Sequence, residues 1–162
     1  MPSRCPGCGL ETPESDGAAA CLASYHELSA QTLSERDSTF PHQLAVDAYA
    51  GQHAGASSKP ITTAFALIGL YLVCERGLTG RQAQRAHMFL GRRRQEWPRF
   101  QPPVDCGTVT VADVLAAGEN GRNEALRRWA ASVWAAWHDQ HERVAELVRR
   151  RFDQLSKDMR NR

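Results

Sequence analysis

Between residues 60 and 76 the chain is apolar on almost every side. Ile61, Phe65, Ile68 and Leu72 keep helical spacing, and apolar residues fill nearly all positions around them. A helix without a polar face must be enclosed all round. The longest apolar run, Ala64–Cys74, is far short of the roughly 20 residues that cross a bilayer, so the enclosure has to be protein. Pro60 suits a first helical turn and Gly77 a stop. One central buried helix therefore dictates a shell of others, and 162 residues suffice to build it as one domain.

The flanking segments read as that shell. From Ala18 to about Arg36, Cys21, Tyr25 and Leu28 follow i, i+4, i+7. After Pro41, the residues His42, Val46, Tyr49 and His53 form one helical stripe, and Gly55–Ser58 ends it. Thr79 caps a helix over residues 79–93 whose Ala83, Ala86, Phe89 and Leu90 face inward. Its polar side carries Arg81, Arg85, Arg92, Arg93 and Arg94. Trp97-Pro98 and Pro102-Pro103 mark a loop across residues 95–109. Thr110 and Asp113 have capping-box spacing and open a short helix ended by Gly118. Asn120 or Gly121 starts the longest helix, reaching about Leu155, with Leu126, Trp129, Val133, Trp137, Val144 and Val148 inward. Alternation with period two is confined to Thr108–Val111. The expected fold is all-α: a single domain over residues 1–162, with an irregular, knuckle-like arm at 1–17, a bundle of five or six helices at 18–155 and a disordered tail at 156–162.

Charge is unevenly spread. The net charge is +2, yet residues 1–40 carry −4, residues 81–99 carry +5 and residues 122–162 carry +4. The basic second half admits an anionic partner, although arginine on solvent-facing helices is the simpler account. Met1–Gly9 lacks the apolar run of a signal peptide. Five cysteines, two of them in a CxxC, favour metal or free thiols in a reducing cytoplasm over a disulfide framework.

Cys5-Pro6-Gly7-Cys8-Gly9 has the turn that lets two thiolates reach one tetrahedral ion, as in zinc knuckles. Cys21 is the third expected ligand. For the fourth, His42 ranks first, because its helix should return antiparallel and approach the arm; His53, Cys106 and His26 follow. His26 comes last because five helical residues rotate it about 140° from Cys21. Cys74, inside the apolar helix, reads as a small buried hydrophobe.

His42 and His53 stand roughly 16 Å apart along a helix, too far to share an ion. A second centre is conceivable from Asp47, His53, His138 and His141, of which the last two are i, i+3 neighbours. Three such ligands with an open position would suit hydrolytic or Lewis-acid chemistry. Packing beside Trp134 and Trp137 is the simpler account of these histidines. An aspartate in a core-facing helix needs a partner, and Arg or His from another helix would serve Asp47. His87 reads as an ordinary surface-helix histidine.

With these residues placed, the chain resembles a family of small bacterial proteins known as a domain of unknown function. The match lies in Cys5-Pro-Gly-Cys-Gly, in Cys21 and in Val46-Asp47-Ala48-Tyr49-Ala50-Gly51-Gln52-His53 after His42, with a weaker echo in Trp129–His141. Ala54 stands where the resemblance calls for proline. The resemblance supports cysteine and histidine sites and implies no reaction. The leading expectation is a cytoplasmic, zinc-binding helical protein whose metal pins the arm to the bundle, with its partner unidentified and no membrane involvement. A metal-dependent enzyme with a His-rich centre is the alternative. A binder of nucleic acid or an acidic partner is weaker still.

Overall fold

The computed structural model describes residues 1–92 and 94–160. Among them are two short strands, β1 (Ser3–Arg4) and β2 (Glu11–Thr12), and seven α-helices: α1 (Gly17–Ser34), α2 (His42–Gln52), α3 (Pro60–Cys74), α4 (Gly80–Gly91), α5 (Val111–Ala116), α6 (Gly118–Ala136) and α7 (His141–Arg160). The expected all-α architecture is present, with more helices than the five or six expected and a small hairpin in the arm. Arg93, placed with the α4 arginines by its sequence, lies outside the described residues, as do residues 161 and 162 of the expected tail. α7 runs through the earlier part of that tail.

α3 is the enclosed helix. Ala64, Leu67, Ile68 and Leu70 are fully buried, and α2, α4, α6 and α7 pack around them. Enclosing each large aliphatic side chain contributes about 1.5–3 kcal/mol. The enclosure stops short of the end of α3: Cys74 is exposed rather than buried, because it lies on the last turn.

α2 packs against α3 and α6 through Leu44, Ala45, Ala48 and Gly51. A Cβ on Gly51 would stand 3.1 Å from Leu70 and 3.2 Å from Val133, so the glycine sets how closely these helices cross. The stripe of His42, Val46, Tyr49 and His53 is therefore not the core face. Val46 is 45% exposed, and Tyr49 stacks on Tyr25 of α1.

The long C-terminal helix expected from sequence is broken after Ala136 by a 3-10 turn, His138–Gln140. Two side chains support the break. The Trp137 indole donates to the Gly51 carbonyl at the end of α2 (3.0 Å). The His141 ring bonds the Trp134 carbonyl (2.7 Å) and lies flat on the Trp134 indole. The Gly51 carbonyl lies in the last turn of α2, where intrahelical donors run out, and the Trp134 carbonyl accepts from both the Trp137 N–H (3.0 Å) and the His141 ring.

Several arginines of the basic half serve the fold. Arg122, buried, pairs with Glu35 (2.7 Å) and Asp37 (2.6 Å) and fastens the α1–α2 loop to α6. Arg143 and Arg151 lie over Phe100 and Trp97.

Candidate metal centre

The arm is a hairpin whose tip is the CxxC. Ser3 pairs with Thr12 and Arg4 with Glu11. At the tip, Cys5 N–H donates to the Leu10 carbonyl (2.9 Å) and Gly9 N–H to the Cys5 carbonyl (2.8 Å). Gly9 has φ +73°, a conformation that glycine adopts without steric cost. The hairpin then docks on the start of α1, where a Cβ on Gly17 would lie 2.4 Å from the Arg4 carbonyl carbon. Asp16 caps α1 by accepting from Ala19 N–H (3.1 Å), which fixes Cys21 one turn into the helix.

These contacts gather Cys5, Cys8 and Cys21 with His53, one ligand atom from each, all within 4.8 Å of one another. Cys8 and Cys21 sulfurs are 3.6 Å apart, and Cys21 Sγ is 3.2 Å from His53 Nε2. Thiolates at about 2.3 Å from a tetrahedral ion stand about 3.8 Å apart, so the spacing fits one metal. Cys5, Cys8 and Cys21 are all buried. The Cys8 thiol is held down, to about 4, chiefly by a hydrogen bond from the Cys21 thiol and against the effect of burial; the Leu10 N–H adds to it. The same bond, with burial, pushes Cys21 up. Three buried thiols this close cannot all ionise without a cation among them. The group is able to bind a metal ion.

The imidazole is prepared for the same role. His53 Nδ1–H donates to the Tyr49 carbonyl (2.8 Å), which leaves the Nε2 lone pair toward the sulfurs, the usual arrangement around a metal-ligating histidine. Tyr49 stacks on the ring with centroids 4.0 Å apart, and Gly7 allows the knuckle against its other side, since a Cβ there would be 2.5 Å from His53 Cδ2.

His53 rather than His42 is thus the histidine at the cysteines. Antiparallel return, the premise that favoured His42, in fact favours His53. α2 starts beside the end of α1 and comes back toward its beginning, so the far end of α2 meets Cys21. Tyr25 against Tyr49 and Cys21 against His53 record that alignment. His42 instead sits edge-on to Phe40 at 4.9 Å. Cys106 is buried near the centre but directs its thiol to the Pro103 carbonyl (3.7 Å), and His26 is exposed on α1 beside Tyr25.

Asp47, His53, His138 and His141 are not brought together. Among the described residues the cysteine–histidine group is the one cluster with metal-binding geometry. Asp47 faces His87 at 3.8 Å, His138 is exposed beside Asp139, and His141 is committed to Trp134. Helical spacing placed each on a face but gave no information on which other helix that face meets.

Sequence reasoning passed over Gln52. It is fully buried; its Nε2 donates to the carbonyls of Cys106 (3.2 Å) and Val109 (2.7 Å), and its Oε1 accepts from Trp129 Nε1 (2.8 Å). It ties the 95–109 loop to the helix that carries His53. A glutamine on the apolar side of α2 was the available signal.

Residues 3–138 match the model of DUF5946, a family of unknown function, and the chain belongs to that family. Neither a curated protein nor a solved structure matches it.

Proposed function

We propose that this member of the family is a zinc-binding helical protein whose metal is structural and held by Cys5, Cys8, Cys21 and His53. The observation that carries the reading is the convergence of three sulfurs and one Nε2 within 4.8 Å. Three thiolates and one imidazole form a complete tetrahedral set for zinc, with no position left for water or substrate. A closed set of three buried cysteines and a half-buried histidine, joining the hairpin, α1 and α2, suits a staple better than a reaction centre. The alternative of a His-rich catalytic metal lacks support, since its four residues have separate partners. No described helix is long and apolar enough to cross a membrane, and unpaired thiols at such a site suit a reducing compartment such as the cytoplasm.

Metal analysis of the purified chain tests the reading. The expected result is one zinc per chain, lost in Cys8→Ser and in His53→Ala and retained in His42→Ala. Absence of metal under reducing conditions, or retention in both ligand variants, overturns it. Cobalt substitution gives a second readout: tetrahedral thiolate coordination produces strong visible bands, and a weak octahedral spectrum would contradict the closed site.

A further inference from the structure

Asp47 and His87 form a buried titratable pair away from the metal centre. Asp47 is 2% exposed and lies on the side of α2 that meets α3 and α4. Its Oδ1 accepts from Gln43 Nε2 (3.0 Å). Its Oδ2 stands 3.8 Å from His87 Nε2, and neither atom has a hydrogen-bond partner. Gly69 of α3 provides the room: a Cβ there would fall 1.8 Å from Oδ2 and 3.0 Å from His87 Nε2. The carboxyl thus occupies the volume that any other side chain at position 69 would fill. His87 is fixed from its other side by the edge of Phe65 (5.0 Å, 75°), and its ring faces the Phe65 backbone, which favours an N–H on that side. A ring that donates there through Nδ1 presents Nε2 as an acceptor, and only a protonated carboxyl can donate to it.

We propose that Asp47 and His87 hold one proton between them, with Asp47 a neutral carboxylic acid whose proton faces His87 Nε2 across the 3.8 Å gap, and that this neutral contact is a pH-sensitive latch seating α4 on α2 and α3.

The competing arrangement is an ion pair, and the surroundings do not sustain one. Buried charges need further hydrogen bonds on both partners to offset desolvation. The carboxyl has only Gln43, and the ring only Phe65. The groups facing the pair are Gln43 from α2, Phe65 and Gly69 from α3, and Tyr25 from α1. Among the described residues no arginine, lysine or second carboxylate contributes to either shift. Burial accordingly pushes both groups toward neutrality: Asp47 well above its ordinary range, and His87 from 6.5 to about 4.

The two shifts bound a window. His87 is depressed in the fold, so its neutral form stabilises fully above pH 6.5 and this contribution is lost as pH falls toward 4. Asp47 is raised, so the stabilisation from its proton is present at low pH and is lost as pH rises through the elevated value. The latch is closed between these limits. It governs the seat of the helix that carries Arg81 and Arg85.

Nuclear magnetic resonance on the labelled full chain with its metal tests this directly. At neutral pH His87 is expected as the uncharged Nδ1–H tautomer. Asp47→Asn should move its titration by less than about half a unit, since the amide can donate to the same nitrogen. A carboxylic-acid band should appear in infrared spectra of the wild type and vanish in that variant. A cationic His87 at neutral pH, with a titration that falls by about one unit or more in Asp47→Asn, identifies an ion pair and overturns the proposal. For the latch, amide exchange in α4, corrected for intrinsic rates and compared with α6, should rise about tenfold between pH 7 and pH 4.5 in the wild type. His87→Gln should lack this excess. If α4 and α6 respond alike in the wild type, the pair is not a latch.

Discussion

At the scale of single residues, the Val46–His53 string resolves into distinct duties. Asp47 reaches α4, Tyr49 backs the imidazole, Gly51 sets a helix crossing, Gln52 holds a loop and His53 joins the cysteines. Helical periodicity exposed the stripe containing Tyr49 and His53 but not the side that is buried, because apolar and small residues occur on both. Gln52 offers a test away from the metal. Gln52→Leu keeps the bulk and strips one donor from two carbonyls and the acceptor from the Trp129 indole. Each buried group left unpaired costs about 1–3 kcal/mol, and relaxation offsets part of the sum. The variant should lose about 2–4 kcal/mol in urea unfolding while keeping its metal content. A loss below about 0.5 kcal/mol would mean that water replaces the amide at no cost. Gly7→Ala probes the other side of His53. Its methyl would press on Cδ2, so metal affinity should fall while the helical bundle melts at an unchanged temperature once metal is removed.

At the scale of elements, the caps were legible and the interruptions were not. Thr79 with Gln82 and Thr110 with Asp113 form complete capping boxes where their spacing indicated helix starts. A cap is a local device written in four residues. The break between α6 and α7 has no such signature, because its supports are the Gly51 carbonyl and a stacked Trp134–His141 pair. The hairpin was equally hidden: strands of two residues each are too short for alternation to show. α2 was recognised, but the end that meets the arm was assigned the wrong way round until α1 and α2 were set side by side. The crossing itself makes a prediction. Gly51→Val places branched carbons where Leu70 and Val133 already approach to 3.1 and 3.2 Å. Overpacking of this kind costs about 1–3 kcal/mol, read as a lower melting temperature with helix content preserved. A variant as stable as the wild type would show that α2 can shift outward freely.

At the scale of the whole molecule, the proposed metal centre and the enclosed α3 core should be separable sources of stability. The core around Leu67, Ile68 and Leu70 lies where α2, α4, α6 and α7 pack on α3, whereas the hairpin has two strands of two residues each and no interior of its own. Small elements of that size need a staple. Chelation should therefore release the arm and leave the bundle folded: far-ultraviolet circular dichroism nearly unchanged, and amide protection lost over residues 3–12 and the first turn of α1. If zinc binds the folded arm and free metal exceeds its dissociation constant a hundredfold, the linkage is worth about 2.7 kcal/mol. For a chain of this length that corresponds to a melting temperature about 5–11 °C lower after chelation. Complete loss of helical signal on chelation would contradict the separation, because it would mean that the helices cannot keep their places around α3 without the four ligands. Unchanged exchange in the arm would contradict it from the other side, by showing that the Gly17 contact and the β1–β2 pairing suffice to hold the hairpin. The expected outcome lies between these two: a protein whose helices define the fold and whose metal fixes the orientation of the arm upon it.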